Sequence, residues 1–336
     1  MTYTIFTDPH IGTSRAAHTS RSSSEKLKKR LFDEAYKIAS LPNSICVGDL
    51  FDSSKNNEEA MLQGFKVASK CKYLLAGNHD EDNVTGRTTT LRALKAIGVE
   101  SIVASPSLSE PYYFNDGGLY FVPHHISQKL FNEAIEQAFD SVVGKAVLFI
   151  HCNYNCEFTD SDATLNISEA QVDKLLTKFS FIFMGHEHGH KILHDGKLIV
   201  VGNTFPTSYS DISSKYYVEL EEDFSSYQVV KTFDVDTGLL ILDINRVVNE
   251  QAVKNASFIE VIGITKSSSD FVKFQDYLWS INDEIYAIRN KTVNEVEIQV
   301  TKKVEASSKL SLEDSLLSDT PELLKPLLIK LLAEVK

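Results

Sequence analysis

Five short polar motifs, each placed directly after an apolar run, constrain the fold of this chain more than any other feature. The first is Asp8-Pro9-His10, which follows the strand-like run Tyr3-Thr4-Ile5-Phe6. In an extended backbone residues i and i+2 point the same way, so the Asp8 carboxylate and the His10 imidazole are expected to reach one metal ion together. Taken alone, an Asp-x-His pair is also typical of an ordinary polar strand end.

The other four motifs repeat this placement of polar side chains at the ends of apolar runs. They are Gly48-Asp49-Leu50-Phe51-Asp52, Gly77-Asn78-His79-Asp80, His151 after Phe149-Ile150, and Gly185-His186-Glu187-His188. Because open α/β sheets bind ligands at the carboxyl ends of their strands, we expect all five motifs to meet at that edge of one sheet.

The side chains that these motifs would bring together carry oxygen and nitrogen donors and no thiolate. The seven candidate metal ligands are Asp8, His10, Asp49, Asn78, His151, His186 and His188. Such a set favours Mn²⁺, Fe²⁺ or Zn²⁺ over a structural zinc bound by cysteine. Seven side chains suffice for two ions if one carboxylate is shared. Two ions about 3.5–4 Å apart can activate a water molecule and stabilise both the attacking and the leaving oxygen of a displacement at phosphorus.

The composition narrows the class of protein. The chain has 336 residues, 43% of them hydrophobic, and a net charge of −12. The charge argues against tight binding of nucleic acid without a partner.

The apolar runs are too short for a membrane span and no signal peptide opens the chain, so a cytoplasmic protein without membrane contact is expected. The spacing of the four cysteines indicates ordinary thiols, with a redox or zinc role for Cys152 and Cys156 as the alternative.

The order of elements predicts a layered α/β fold. Strand-like and helix-like segments alternate over the first two-thirds of the chain, and antiparallel hairpins follow. This order is typical of two packed mixed sheets flanked by helices. The predicted domains are a catalytic domain at 1–250, a small β-α-β module at 251–304, and a hinge with a helical tail at 305–336. Within the module we expect a strand at 258–265, a helix at 270–288 and a strand at 293–301.

The tail carries an apolar stripe of leucines at spacings of one and four, a pattern that predicts an amphipathic helix docked on the body or on a partner. The stripe consists of Leu323, Leu324, Leu327, Leu328, Leu331 and Leu332.

The five motifs, in this order between residues 8 and 188, resemble those of the calcineurin-like metallophosphoesterases. The resemblance implies two divalent ions, one held by Asp8, His10, Asp49 and His188 and the other by Asp49, Asn78, His151 and His186, with Asp49 bridging. It implies that His79 faces the phosphate, either as general acid to the leaving oxygen or as a transition-state contact. It also implies that Asp80 orients His79 and that Asp52 has a local orienting role.

Within that superfamily the chain looks like the SbcD-type nuclease subunits of double-strand-break repair and recombination complexes. The opening motifs, the module as a DNA-facing cap and the leucine-rich tail carry this resemblance, and the short cap is similar to that of bacteriophage versions, which act in the host cytoplasm. The resemblance implies a Mn²⁺-dependent DNA exonuclease and endonuclease, with Mg²⁺, Fe²⁺ or Zn²⁺ as alternatives. It implies a homodimer formed through the early helices near 25–40 and 57–70, whose apolar faces are equally compatible with the core. It also implies an SbcC-type coiled-coil ATPase partner bound by the tail; this chain has no Gly-x-x-x-x-Gly-Lys-Ser/Thr loop of its own.

Two other functions use the same motifs. A stand-alone phosphodiesterase or phosphatase for small molecules would need the metal site but not a hinged leucine stripe. A non-catalytic scaffold on the same fold would be expected to lack some of the ligands, whereas all seven are present in the sequence.

Overall fold

The computed structural model of the chain describes residues 2–13, 21–82, 88–156, 165–208 and 211–294, with backbone alone at 21–23. The chain divides into two compact units. Of the described residues, the first unit comprises those up to 240, 255–258 and 283–288, and the second comprises 241–254, 259–282 and 289–294. The predicted domains at 1–250, 251–304 and 305–336 remain a prediction, and the six leucines of the tail lie outside the described residues.

The first unit contains two six-stranded sheets. The strands of the first sheet are β1 Thr2–Phe6, β2 Ile45–Cys46, β3 Tyr73–Leu75, β4 Ile102–Val103, β13 Lys215–Glu221 and β14 Tyr227–Phe233. Their order is β14-β13-β1-β2-β3-β4. Strands β1 to β4 are parallel, and β13 adds antiparallel to β1.

The second sheet repeats this mixture of parallel and antiparallel strands. Its strands are β5 Phe114–Asp116, β6 Leu119–Val122, β7 Val147–His151, β10 Phe181–Gly185, β11 Lys191–Leu193 and β12 Leu198–Val200. Their order is β11-β12-β10-β7-β6-β5, with β6, β7, β10 and β12 parallel. A separate parallel pair is formed by β8 Asn153–Tyr154 and β9 Asn166–Ile167.

The two sheets pack face to face between layers of helix. The described helices are α1 Arg21–Ala39, α2 Glu58–Ala68, α3 Thr90–Ala96, α4 Gln128–Ser141, α5 Glu169–Leu175, α6 Val235–Gly238, α7 Glu250–Asn255 and α8 Ser268–Ile281. One buried cluster joins the inner faces of the sheets and includes the stacked rings of Phe121 and Phe149, whose centroids are 4.8 Å apart. Two more clusters bury the outer faces, one under α1, α2 and α3 and the other under α4 and α5. The predicted α/β fold with two mixed sheets is confirmed.

Local signals in the sequence account for several element boundaries. The Asn-Asp-Gly-Gly sequence at 115–118, which is typical of a hairpin turn, joins β5 to β6; Gly117 and Gly118 have φ of 58° and 91°, values that glycine adopts without a side-chain clash. The sequence Ser168-Glu169-Ala170-Gln171 is typical of a capping box, and the box is present, since the Ser168 hydroxyl accepts from the N–H of Gln171. On α1 the apolar face of Leu27, Leu31 and Ala35 is buried in the core of the first unit.

The second unit contains most of a three-stranded sheet and helix α8. The strands are β15 Leu239–Asp243, β16 Phe258–Thr265 and β17 Ala287–Asn294, in the order β15-β16-β17. The predicted helix at 270–288 is wrong at its carboxyl end, because α8 stops at Ile281 and Ala287 already belongs to β17. Among the described residues, no helix has both the length and the apolar character that crossing a membrane requires.

Candidate metal centre

The predicted ligands come from two sheets and not from one. Asp8, Asp49 and Asn78 follow β1, β2 and β3 of the first sheet, whereas His151 and His186 stand at the ends of β7 and β10 in the second. The prediction of a single sheet was therefore wrong. Periodicity along one chain shows where strands end but not how strands are divided between packed sheets.

The backbone at the ligands also differs from the extended conformation that the sequence predicted. Asp8 and His10 have φ of 52° and 46°, Asp49 has 49° and His186 has 87°. These left-handed conformations are sparsely populated and cost about 1–3 kcal/mol each unless surrounding contacts hold them. The N–H groups of Asp8 and His10 donate to the carbonyls of Gly48 and Asp49 at 3.1 and 3.2 Å, which fixes the first motif against the second.

One group of potential ligand atoms consists of Asp8, His10 and His188, whose donor atoms all lie within 4.8 Å of one another. The Nε2 atoms of His10 and His188 are 2.9 Å apart, and Asp8 Oδ1 is 3.7 Å from His10 Nε2. Two imidazoles and a carboxylate that converge in this way suit a divalent cation with nitrogen and oxygen ligands.

A second group consists of Asp49, His151 and His186, again within 4.8 Å. Asn78 joins it, because its Oδ1 lies 3.1 Å from His151 Nε2 and 2.9 Å from His186 Nδ1. All seven predicted ligands are thus brought to one place, in two groups that agree with the division implied by the family resemblance.

Asp49 lies between the two groups. Its Oδ2 is 3.3 Å from His151 Nε2 and 3.9 Å from His10 Nε2, while its Oδ1 accepts the backbone N–H of His79 at 2.9 Å. Burial alone would raise the pKa of Asp49, but the charge and hydrogen bond of His151 hold that pKa well below its usual range. The carboxylate thus lies close to histidines of both groups, as the predicted bridging role requires.

Two of the candidate ligand histidines are anchored through the ring nitrogen that faces away from the centre. Nδ1 of His151 donates to the Val47 carbonyl at 2.8 Å, and Nδ1 of His188 lies 3.1 Å from Asp211 Oδ2. Such contacts fix the ring and leave Nε2 available to a metal ion. Nδ1 of His10 lies 3.3 Å from Asp52 Oδ1 without forming a hydrogen bond, so the orienting role of Asp52 stays a prediction.

Two observations test whether the residues fit a metal ion. Oδ2 of Asp8 accepts hydrogen bonds from Thr7 Oγ1 and the His186 N–H, whereas its buried Oδ1 has no hydrogen-bond partner among the described residues. A buried carboxylate oxygen is costly without a partner, and a cation would supply one. At Gly77 a Cβ would lie 2.2 Å from Asp49 Oδ1, so only glycine admits the bridging carboxylate there. The residues fit divalent ions.

His79 lies beside the first group of ligands. Its ring is 5.0 Å from that of His10, and its Nδ1 donates to the Asp52 carbonyl at 2.8 Å. Donation from Nδ1 fixes the ring and leaves Nε2 as the nitrogen that can meet a substrate.

The structure corrects the role predicted for Asp80, which was to orient His79. The Asp80 carboxylate accepts backbone N–H bonds from Leu50, Phe51 and Gly77 at 3.0–3.2 Å, so it ties the second motif to the third. The ring of His79 is held instead by the Asp52 carbonyl. Burial, followed by the charge of Asp49, raises the pKa of Asp80, against the opposing effect of the three N–H donors.

Two histidines outside the motifs follow β6, next to β7. His125 is used by the fold, since Nδ1 donates to the Pro123 carbonyl and Nε2 accepts from the Tyr112 N–H. His124 is 4% exposed, and its N–H donates to the Ala76 carbonyl at the end of β3. Burial lowers the pKa of His124 to about 3. It is therefore neutral, and it does not belong to any of the groups of converging ligand atoms in the described residues.

Asp211 and Lys215 were missed by the sequence analysis. Both contact His188, yet Asp211 lies in a polar segment before β13, Lys215 is the first residue of β13, and neither belongs to a recognisable motif. The available signal was a lysine opening an otherwise alternating strand, together with an aspartate four residues before it.

Comparison with known proteins agrees with this geometry. The family model for calcineurin-like phosphoesterases matches residues 1–190, which include all five motifs. A search of curated proteins found no match. Because the family model covers more than half of the chain, this protein belongs to the calcineurin-like phosphoesterase family and is a metal-dependent phosphoester hydrolase.

Proposed function

We propose that the chain is a two-metal phosphodiesterase that cleaves DNA as the nuclease subunit of an SbcCD-like repair and recombination complex. The observation that carries the phosphodiesterase part is the convergence of seven ligands on a buried, shared carboxylate with His79 beside them. Divalent ions held there, with Mn²⁺ as the proposed metal, would supply the positive charge that favours water attack at phosphorus.

The residues of the chain supply the other parts of the reaction. Asp49 holds the two ligand groups together and, through the N–H of His79, fixes the backbone of the third motif. Because Nδ1 of His79 already donates to the Asp52 carbonyl, the ring would carry a second proton on Nε2, which it would donate to the leaving oxygen or direct at the transition state. The buried Asp80 keeps both motif loops in place through three backbone N–H bonds.

DNA as the substrate is supported by the second unit. A small α/β module after the catalytic residues is what the resemblance to SbcD-type subunits requires of a DNA-facing cap. On its surface Lys266, Lys273, Phe274 and Tyr277 line one cavity of about 520 Å³ together with Asp270 and with further polar and apolar residues. Cations next to aromatic rings suit a nucleic-acid strand. The net charge of −12 fits a subunit whose partner supplies much of the grip on DNA.

The alternative function is hydrolysis of small phosphodiesters or phosphomonoesters at the same centre. The metal ligands do not distinguish the two, because one site can serve many substrates. A scaffold without activity is the third candidate, and the complete set of ligands disfavours it.

The first prediction separates these functions. With Mn²⁺, the full-length chain is expected to degrade linear double-stranded DNA faster than closed circular DNA, and an SbcC-type ATPase should increase the rate.

A chain ending at residue 304 should lose the response to the ATPase but keep hydrolysis of a chromogenic phosphodiester. Hydrolysis of the chromogenic ester with no attack on either DNA would favour the small-molecule alternative. If the shortened chain responds fully to the ATPase, the role proposed for the tail is wrong.

We also propose that α2 forms a homodimer contact with a second copy of the chain. The apolar face of α1 is buried, whereas α2 exposes Met61, Leu62 and Phe65. With Leu94 and Ile97 these side chains form a groove of about 310 Å³ that is almost wholly apolar. A two-fold dimer places the same patch on both subunits, so a surface with projecting apolar groups and an apolar recess can complement itself.

The second prediction tests this contact. Phe65→Glu should shift the chain from dimer to monomer in sedimentation velocity, because a charge would be buried in the interface. Val143→Glu is the matched control, since Val143 is 88% exposed and lies outside the groove. A wild-type chain that sediments as a monomer would exclude the proposed dimer.

A further inference from the structure

A buried ion pair stands directly behind one of the candidate metal ligands. Lys215 is 1% exposed, and its Nζ donates to Asp211 Oδ1 at 2.6 Å. Asp211 Oδ2 accepts hydrogen bonds from Asn203 Nδ2 at 2.6 Å and from the N–H and Oγ1 of Thr207, both at 3.0 Å. Lys215 Nζ and both carboxylate oxygens of Asp211 therefore all have hydrogen-bond partners.

The pair holds His188 at two points. Asp211 Oδ2 lies 3.1 Å from His188 Nδ1, and Lys215 Nζ donates to the His188 carbonyl at 3.0 Å. The carboxylate thus fixes the imidazole while the ammonium fixes the main chain of the same residue. Because the two charged groups also bind each other, a shift of the ring or of the backbone of His188 would lose a contact with a pair that is itself held in place.

Stability alone gives little reason for such a pair. Taking two charges out of water is costly, and apolar residues of similar volume often stabilise a fold as well or better. A carboxylate on the outer nitrogen of a metal-ligating histidine, in contrast, fixes the tautomer and strengthens the histidine as a ligand. Here the remaining nitrogen, His188 Nε2, lies 2.9 Å from His10 Nε2 in the ligand group that contains Asp8.

We propose that Asp211 and Lys215 are positioning residues for the metal ion held by Asp8, His10, Asp49 and His188. Asp211 orients the His188 ring with Nδ1 protonated and Nε2 free for the metal, and Lys215 fixes the segment on which His188 stands. Neither residue contacts the metal or the substrate. The inference rests on the metal centre of the proposed function and is independent of whether DNA is the substrate.

The test is a titration of the full-length chain with Mn²⁺ alone. In Asp211→Asn, one ion should bind about 10–100-fold more weakly while the other keeps its affinity. The electron paramagnetic resonance signal of a spin-coupled manganese pair should then appear only at higher Mn²⁺ concentrations than in the wild type. Hydrolysis of a chromogenic phosphodiester should follow the same shift, with kcat recovered at saturating Mn²⁺. A purely structural role would lower activity or thermal stability without changing the affinity for Mn²⁺.

Asp173→Asn is the matched control, because Asp173 Oδ1 lies 3.0 Å from Nδ1 of His194, a histidine outside the ligand set. It should leave both ions bound as in the wild type. Equal Mn²⁺ affinities in Asp211→Asn and Asp173→Asn would overturn the proposal. A wild-type chain that binds no Mn²⁺ would instead contradict the metal centre itself.

A measurement on the wild-type chain covers the case in which Asp211→Asn does not fold. Nitrogen-15 spectra of the metal-free protein at alkaline pH should show His188 with its proton on Nδ1, with His188→Gln used for assignment. A proton on Nε2 would overturn the proposal, because the ring would then offer no lone pair to the metal.

Discussion

Replacement of Asp49 by asparagine is expected to abolish hydrolysis and to lose both metal ions together. Asp49 Oδ2 approaches histidines of both ligand groups, at 3.3 Å from His151 and 3.9 Å from His10. Asparagine carries no negative charge, so the two metal ions would lose the carboxylate that both are proposed to share. We expect kcat/KM for a chromogenic phosphodiester to fall about 10⁴-fold or more, equivalent to about 5 kcal/mol of transition-state stabilisation.

The measurement pairs this rate with a count of bound Mn²⁺. Asp140→Asn is a suitable control, because Asp140 is exposed on α4 and is not one of the ligands. Circular dichroism should show that both variants are folded. If the Asp49 variant keeps one tightly bound ion, Asp49 serves one site and does not bridge.

Replacement of His79 by alanine is expected to remove activity while both ions stay bound. The family resemblance does not make His79 a ligand, and the contact of its Nδ1 with the Asp52 carbonyl fixes the ring so that Nε2 can meet the substrate. Loss of a positioned proton donor costs typically about 10²–10⁴-fold in rate. The loss should be smaller for a p-nitrophenyl leaving group, which departs without a proton, than for the alkoxide of DNA or of an alkyl ester.

This dependence on the leaving group separates the two roles open to His79. A general acid gives a loss that grows as the leaving group becomes poorer, whereas a transition-state contact to the phosphate gives an equal loss for all esters. His194→Ala is the control, since His194 contacts Tyr154 and Asp173 away from the ligands. Unchanged hydrolysis in His79→Ala would refute both roles.

Much of this centre could be predicted from sequence because strand ends leave a strong local signal. Apolar runs followed by Asp, Asn or His marked every ligand, and the turn at 115–118 and the capping box at Ser168 were recognisable from their own residues. These are features within a few positions of one another, where side-chain period and turn chemistry decide the structure.

The parts that the sequence did not predict depend on contacts between distant segments. The left-handed backbone of Asp8 and His10 is set by carbonyls of the second motif, and Asp80 acts on N–H groups about 30 residues earlier. The contacts of Asp211 with His188 join segments more than 20 residues apart, and no local pattern marks them. The division of the ligands between two sheets is of the same kind, because packing of the sheets decides it.

The central claim is that the chain holds two divalent ions on one shared carboxylate. It is tested most directly by counting Mn²⁺ bound to the full-length wild-type chain while hydrolysis of a chromogenic phosphodiester is followed in the same titration. The account predicts two ions per chain, with activity rising only as the second ion binds. Full activity with one ion bound, or hydrolysis that persists after removal of all metal, would contradict it.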